Sequence, residues 1–245
     1  MRLEWLLEHH KTESGYWWFK NKRRIVRHCL QRHAPEKGTL LEIGCGGGYF
    51  SAQLQSLGWK VIASDLHPEG ARFAVEQGAA HGLPFNADHG WPLKDSSIDA
   101  FVMLDVLEHL DLHVGVLEEA RRVLKPGGIG VIAVPAYQWL FSAWDEYNQH
   151  YRRYNRALLA GTAQFAGLDV LDLNYWNAIS MPPAIVLRLR DRFRKVQLDG
   201  VEYPPVPDFV NNTLTCYGRW EAAWIDKGLP VPFGLSVFAV VRKPE

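Results

Sequence analysis

Residues 40 to 50 read LLEIGCGGGYF, from Leu40 to Phe50, and this stretch decides the fold. Leu40, Leu41 and Ile43 around Glu42 make a short apolar run, the signature of a buried strand. Gly44, Cys45, Gly46, Gly47 and Gly48 then give a tight turn, and Tyr49 to Leu57 opens a helix. A strand, glycine turn and helix in that order form one βα unit with a ligand-binding turn. Residues without a Cβ let the backbone pass close to a ligand and reach positive φ at little cost.

Turns of this kind serve several nucleotides, so the flanking residues must discriminate. The dinucleotide fingerprint asks for a third glycine or alanine three positions after the second, and here that position is Tyr49. A carboxylate at Glu42 would repel a pyrophosphate but suits a ligand carrying an ammonium and a sulfonium, which favours S-adenosylmethionine over NAD. Downstream, Lys60 to Ser64 reads as a second strand ending at Asp65. That acid lies about 20 residues past the glycines, where α/β nucleotide sites place the carboxylate that accepts ribose hydroxyls.

The pattern continues in both directions. A helix through Ala71, Ala74 and Val75 ends at Gly78, and residues 79 to 97 form a loop-rich crossing that contains Asp88. Asp99 opens a strand whose near-continuous hydrophobicity, AFVMLDV, fits a central parallel strand buried on both faces. Val116 to Leu124 is an amphipathic helix stopped by KPGG, and Ile129 to Val134 is the next strand. A βαβαβαβ order with glycine or proline at the switches gives an α/β, Rossmann-like doubly wound sheet. Leu168 to Leu173 and Leu235 to Val241 supply two more strands. We expect residues 1–37 to be a helical extension acting as a cofactor flap, with Leu3, Leu6, Leu7, Ile25, Val26 and Leu30 at helical spacing. Residues 38–174 and 234–245 form the core, and 175–233, too long for a simple connection, form a helical cap inserted before the last strand.

Composition narrows the partners. With 27 basic and 27 acidic residues no global field steers the chain to nucleic acid. Cys29, Cys45 and Cys216 are too few and too scattered for a disulfide framework or a CxxC metal site, as expected of a reducing compartment. Glu4, Glu8, His9 and His10 stand where a secretory segment would need apolar residues, so a cytoplasmic location is expected.

With LLEIGCGGGYF, SD at 64–65, ADHGWPLKDSSIDAFVMLDVLEHL and RVLKPGG at 122–128, the chain resembles the class I S-adenosylmethionine-dependent methyltransferases, especially the small-molecule group that includes ubiquinone-biosynthesis O-methyltransferases. The resemblance covers about residues 38–135. It implies a sheet of about seven strands with the last antiparallel, and S-adenosyl-L-homocysteine as product. It also implies that Gly44, Gly46 and Gly48 pass the methionyl part, that Asp65 holds the ribose, and that Asp88 with the His89 backbone receives the adenine. GLPF at 82–85 competes with GWPL at 90–93 for that last role, and the second is chosen because Asp88 stands just upstream. Cys45, Leu66, Asp105 and Arg24 complete the candidate cofactor contacts, with Arg23 or Arg24 placed to pair with a carboxylate.

Methyl transfer from a sulfonium is an in-line displacement, so the protein must chiefly align a nucleophile, with proton removal needed only for a hydroxyl or ammonium acceptor. His109 and His150 are the candidate bases at the open edge of the sheet. His150 and Tyr154 of WDEYNQHYRRY would share one face if that segment were helical, with Arg153 as an anion clamp and Trp144 and Tyr137 beside the acceptor. The alternative is a buried Asp145–Arg153 brace with His150 packed beneath it. His109 and His113 are only half a metal site, and HLDLH lacks the HExxH arrangement, so no metal is expected. In the cap, Ile185, Leu189, Phe193 and Val196 fall on one helical face and Arg188, Arg192 and Lys195 on another, a lid surface or a contact for anionic lipid or a lipid-linked substrate across 185–196. Two rival classes remain: a cofactor-binding scaffold without turnover, and an NAD-dependent oxidoreductase, whose YxxxK pair occurs only at Tyr16 and Lys20, ahead of the glycine turn.

Overall fold

The computed structural model describes residues 10, 12–34, 36–194 and 206–245, with only the backbone for 191–194. The expectations for Leu3, Leu6, Leu7, Lys195, Val196 and the side chains of Arg192 and Phe193 lie outside the described residues.

The sheet has seven strands. In chain order they are β1 (Thr39–Ile43), β2 (Lys60–Ser64), β3 (His81–Gly82), β4 (Ile98–Leu104), β5 (Leu124–Pro135), β6 (Asp169–Trp176) and β7 (Ser236–Arg242). Their spatial order is β3-β2-β1-β4-β5-β7-β6. The first five run parallel, while β7 lies antiparallel between β5 and β6. Central β4 has Ala100, Phe101, Val102 and Met103 fully buried, as its unbroken apolar run requires. Gly130 on β5 is where the Phe101 ring passes: a Cβ there would stand 2.1 Å from Phe101 Cζ.

Two details differ from the sequence reading. The crossing at 79–97 contains the two-residue edge strand β3, too short for any alternation to register, and no helix joins β3 to β4 among the described residues. Strand β6 runs to Trp176, because Asn174, Tyr175 and Trp176 keep pairing with Phe238, Val237 and Ser236.

Helices α1 (Trp17–His33), α2 (Tyr49–Ser56), α3 (Pro68–Glu76), α4 (His113–Val123), α5 (Ala143–Tyr147) and α6 (Arg156–Phe165) precede β6, and α7 (Met181–Arg194) and α8 (Asp208–Asp226) follow it. Helix α8 packs along α1: Asn21 donates to the Leu214 carbonyl at 2.9 Å, and the Trp17 amide donates to Asn211 at 2.8 Å. Trp18 stacks on Trp176 with centroids 6.2 Å apart, which seats the start of α1 over the carboxyl edge of the sheet. The exit from β6 is pinned by buried Glu221, whose carboxylate accepts from the amides of Asn177 (2.8 Å) and Ala178 (2.9 Å).

Candidate functional site

Strand order reverses between β1 and β4, and a cavity of about 860 Å³ opens beyond the carboxyl ends of the strands there. Such a switch point is where open α/β sheets bind ligands. Tyr16, Trp17, Trp18, Phe19, Lys22 and Arg23 from the start of α1 line it from above, and no helix of the described residues is long and apolar enough to cross a membrane.

One end of the cavity is built on the glycine turn. Gly44 (φ 72°) and Gly46 (φ 54°) are both in the left-handed region, and a Cβ on Gly44 would lie 2.3 Å from Val106 Cγ2. At Gly46 no atom stands within 4 Å of the Cβ position, so its open side faces the cavity. Gly48 does not line the cavity; a Cβ there would meet Ala74 Cα at 2.3 Å, so its role is close approach of α2 to α3. Buried Glu42 accepts from the Ser51 hydroxyl, and burial pushes its carboxyl up to about 8. Asp65 is fixed by the amides of Gly46 (3.1 Å) and His67 (3.0 Å), which partly offset the upward shift caused by burial.

Leu66, Phe85, Asn86, Ala87 and Asp88 continue this end. Neither Gly90 to Leu93 nor His89 lines the main cavity; Trp91 is buried against Phe85 instead. His89, to which the adenine contact was assigned, therefore lies outside the main cavity, whereas Asp88 lines it; Asn86 turns the chain there by accepting from the Asp88 amide at 3.0 Å. Arg24 is a second correction. Its guanidinium donates to Asn21 at 2.9 Å away from the cavity, whereas Arg23 lines it, donating to the Glu13 carbonyl at 2.8 Å and lying 4.6 Å from the Tyr49 ring centroid. Asp105 adopts φ 53°, an uncommon conformation for a residue with a side chain, and its carboxylate pairs with Lys22 at 2.6 Å.

The other end is formed by Glu108 and His109, in the short turn after β4, and by Trp144, His150, Arg153 and Arg188. Asp145, fully buried, organises it. Its carboxylate accepts from Arg153 Nε (2.7 Å), His150 Nδ1 (3.0 Å), Arg188 (3.1 Å) and the Ser142 amide (2.9 Å). Burial would raise this carboxyl, but the His150 hydrogen bond and the Arg153 charge outweigh it and hold it at about 2. An ionised Asp145 accepts from a proton on His150 Nδ1, which in the neutral ring places the lone pair on Nε2. Nε2 stands 4.0 Å from Glu108 Oε1, and the His109 and His150 rings meet edge to face at 4.5 Å. Burial pushes His109 down to about 3, so its imidazole is neutral. Glu108 is raised by burial and then by the Asp105 charge, and neither of its oxygens has a hydrogen-bond partner.

Four expectations are corrected here. The chain leaves the helical path after α5, with Gln149 at φ 58°, so His150 and Tyr154 do not share a helical face. Tyr154 is fully buried outside the cavity, its hydroxyl 3.0 Å from His113 Nδ1 and its backbone bridged to Ala136. Tyr137 stacks on Tyr175 at 5.0 Å, also away from the cavity. Arg188 belongs to no solvated basic face, since it reaches Ser142 and Asp145. Lys22, Glu13 and Glu108 were not among the expected site residues, and Arg188 was expected on the basic face of 185–196 and not at this site.

A methyltransferase-domain family profile matches residues 41–132. A probable S-adenosylmethionine-dependent methyltransferase of Mycolicibacterium smegmatis is 28% identical over 170 residues, 66% of this chain and 62% of the relative. The ubiquinone biosynthesis O-methyltransferase of Caulobacter vibrioides is 34% identical over 106 residues, 41% of this chain and 42% of the relative. The chain thus spans less than two thirds of either. A chain of the Haloferax volcanii complex between the Trm112 methyltransferase activator and its candidate methyltransferase superposes with TM-score 0.63 at 21% identity, covering 96% of this chain and 93% of that one.

Proposed function

The chain belongs to the class I S-adenosylmethionine-dependent methyltransferase family, and from that membership we propose that it methylates a small-molecule acceptor, with oxygen as the acceptor atom. The observation that carries this reading is one cavity with the glycine turn, Glu42 and Asp65 at one end and Glu108, His109 and His150 at the other. The first end fits the family's cofactor. An open face at Gly46, a buried carboxyl at Glu42 that an ammonium would draw into its ionised form, and an Asp65 carboxylate with lone pairs to spare for a diol are the features its amino acid and ribose parts need. When bound, S-adenosylmethionine supplies a methyl group open to in-line displacement.

The chain's own residues do the rest. Trp17 and Trp18, with the Lys22–Asp105 pair, line the cavity between its two ends. Asp145 holds the His150 ring so that the Nε2 lone pair faces the acceptor end, where it orients or receives the proton of an acceptor hydroxyl. Arg153 and Arg188 are committed to Asp145, so they set this geometry instead of gripping an acceptor anion. Oxygen is favoured because the His150 Nε2 lone pair at this end can take a hydroxyl proton, and the O-methyltransferase activity named for the Caulobacter relative agrees with that choice.

The test is cofactor turnover against phenols, aliphatic alcohols, carboxylates and amines. An oxygen acceptor should be methylated, and His150→Asn should lower kcat by roughly a hundredfold or more with cofactor affinity intact. Turnover on amines alone would refute the oxygen assignment, and cofactor binding without turnover on any class would favour a scaffold.

A further inference from the structure

Glu108, His109 and His150 pose a problem that methyl transfer alone does not resolve. The Glu108 carboxyl is 0% exposed and neither oxygen has a partner, and Nδ1 of His109 is likewise buried and unpartnered. A buried polar group without a partner costs about 1 to 3 kcal/mol, more if charged, and here two such groups point at one another's neighbourhood. The third member offers the same kind of atom, since His150 gives its Nδ1 proton to Asp145 at 3.0 Å and turns Nε2 toward Glu108.

We propose that Glu108, His109 and His150 form a binding site for a divalent transition-metal ion at the acceptor end of the cavity. One ligand atom from each lies within 4.8 Å of the others. Two imidazole nitrogens and one carboxylate oxygen are a donor set suited to Zn²⁺, Co²⁺, Mn²⁺ or Fe²⁺, with metal–ligand distances of about 2.0–2.2 Å for zinc. Closing on an ion draws the three atoms together by roughly an ångström, a movement that side-chain rotation of Glu108 supplies. The surroundings are built as such sites are. Asp145 holds the proton-bearing nitrogen of a ligating histidine, fixing its tautomer and ring plane, and Ser142, Arg153 and Arg188 fix Asp145 in turn. A single cation satisfies all the unpartnered atoms at once.

Three protein ligands leave coordination positions open, and all three residues line the cavity, so the open positions face it. This consequence rests on the methyl-transfer reading: with the ion bound, His150 Nε2 would be a ligand and no longer a base, and the ion would there hold an acceptor oxygen and ease loss of its proton.

The experiment is titration of the chelator-stripped full chain with Co²⁺, followed by ligand-field absorption, alongside calorimetry of S-adenosylhomocysteine on the same samples. We expect saturation at one Co²⁺ per chain, displacement by Zn²⁺, and shifts of the His109 and His150 imidazole resonances on Zn²⁺ binding. Glu108→Gln and His109→Asn should abolish the saturable absorption, while Asp145→Asn, a change one bond removed from the metal, should weaken it by about 10 to 100-fold. Absence of a saturable signal in the wild-type chain, unmoved resonances of both histidines, or unchanged affinity in both ligand variants would overturn the site. Since S-adenosylhomocysteine is measured in parallel, loss of the metal site alone leaves the methyl-transfer reading standing.

Discussion

Replacing Asp145 by asparagine removes the charge on which the acceptor end is assembled. The carboxylate has 0% exposure and accepts five hydrogen bonds, two from guanidinium groups. An amide keeps one acceptor oxygen and turns an NH₂ toward donors, so Arg153, itself 4% exposed, is left as a buried cation facing another donor. Breaking one partner of a buried pair costs about 3–5 kcal/mol. The depression of the Asp145 carboxyl from 3.8 to about 2 sets a floor of roughly 2.5 kcal/mol at neutral pH. Because the folded value lies below the unfolded one, this stability is present above pH 3.8 and is lost as pH falls through about 2. Urea unfolding at pH 7 should therefore show Asp145→Asn less stable by about 3 kcal/mol or more, with a difference that is flat from pH 7 to pH 5 and narrows on further acidification. A loss under about 1 kcal/mol at pH 7 would refute the claim that this carboxylate holds the acceptor end together.

Tyr154→Phe removes a hydroxyl that meets His113 Nδ1 outside the cavity, so it should cost about 1 kcal/mol in urea unfolding and leave turnover unchanged; a collapse of turnover would return Tyr154 to the chemistry. Burial raises Glu42 from 4.5 to about 8, so its neutral form favours the fold: that contribution is complete below pH 4.5 and is lost as pH rises through about 8, on the order of 5 kcal/mol in total. Ligand-free stability should accordingly fall between pH 5 and pH 9, and Glu42→Gln should flatten that slope. Gly218→Ala places a methyl 2.0 Å from Asn21 Cγ where α8 crosses α1, so Tm should drop with a loss of roughly 1–3 kcal/mol; an unchanged Tm would mean that the two helices are not tightly packed.

What could be read in the residues was whatever the backbone itself demands. The LLEIGCGGGYF turn, the acid at Asp65 and the doubly buried AFVML strand are local requirements of a βα nucleotide unit, and each stands where its spacing put it. The edge strand β3 was not legible because two residues carry no period. The acceptor end was hidden for another reason. Glu108 and His109 meet His150 only because the chain crosses β5 and α5 and then turns back at Gln149, and the pairing of His109 with His113 suggested by sequence spacing points the wrong way: His113 goes to Tyr154. Asp145 and Arg153 were seen as a possible brace, and the brace is there, but its capture of Arg188 from α7 joins residues 43 apart that no pattern links.

The central claim is that the cavity over the glycine turn is an S-adenosylmethionine site, and calorimetry of S-adenosylhomocysteine against the wild-type chain and Asp65→Ala tests it most directly. The wild type should bind one ligand per chain and ignore NADH, and Asp65→Ala should weaken binding at least about tenfold, since a charged acceptor for the ribose diol is lost. Absence of binding to the wild type, preference for NADH, or equal affinity in Asp65→Ala would contradict the account.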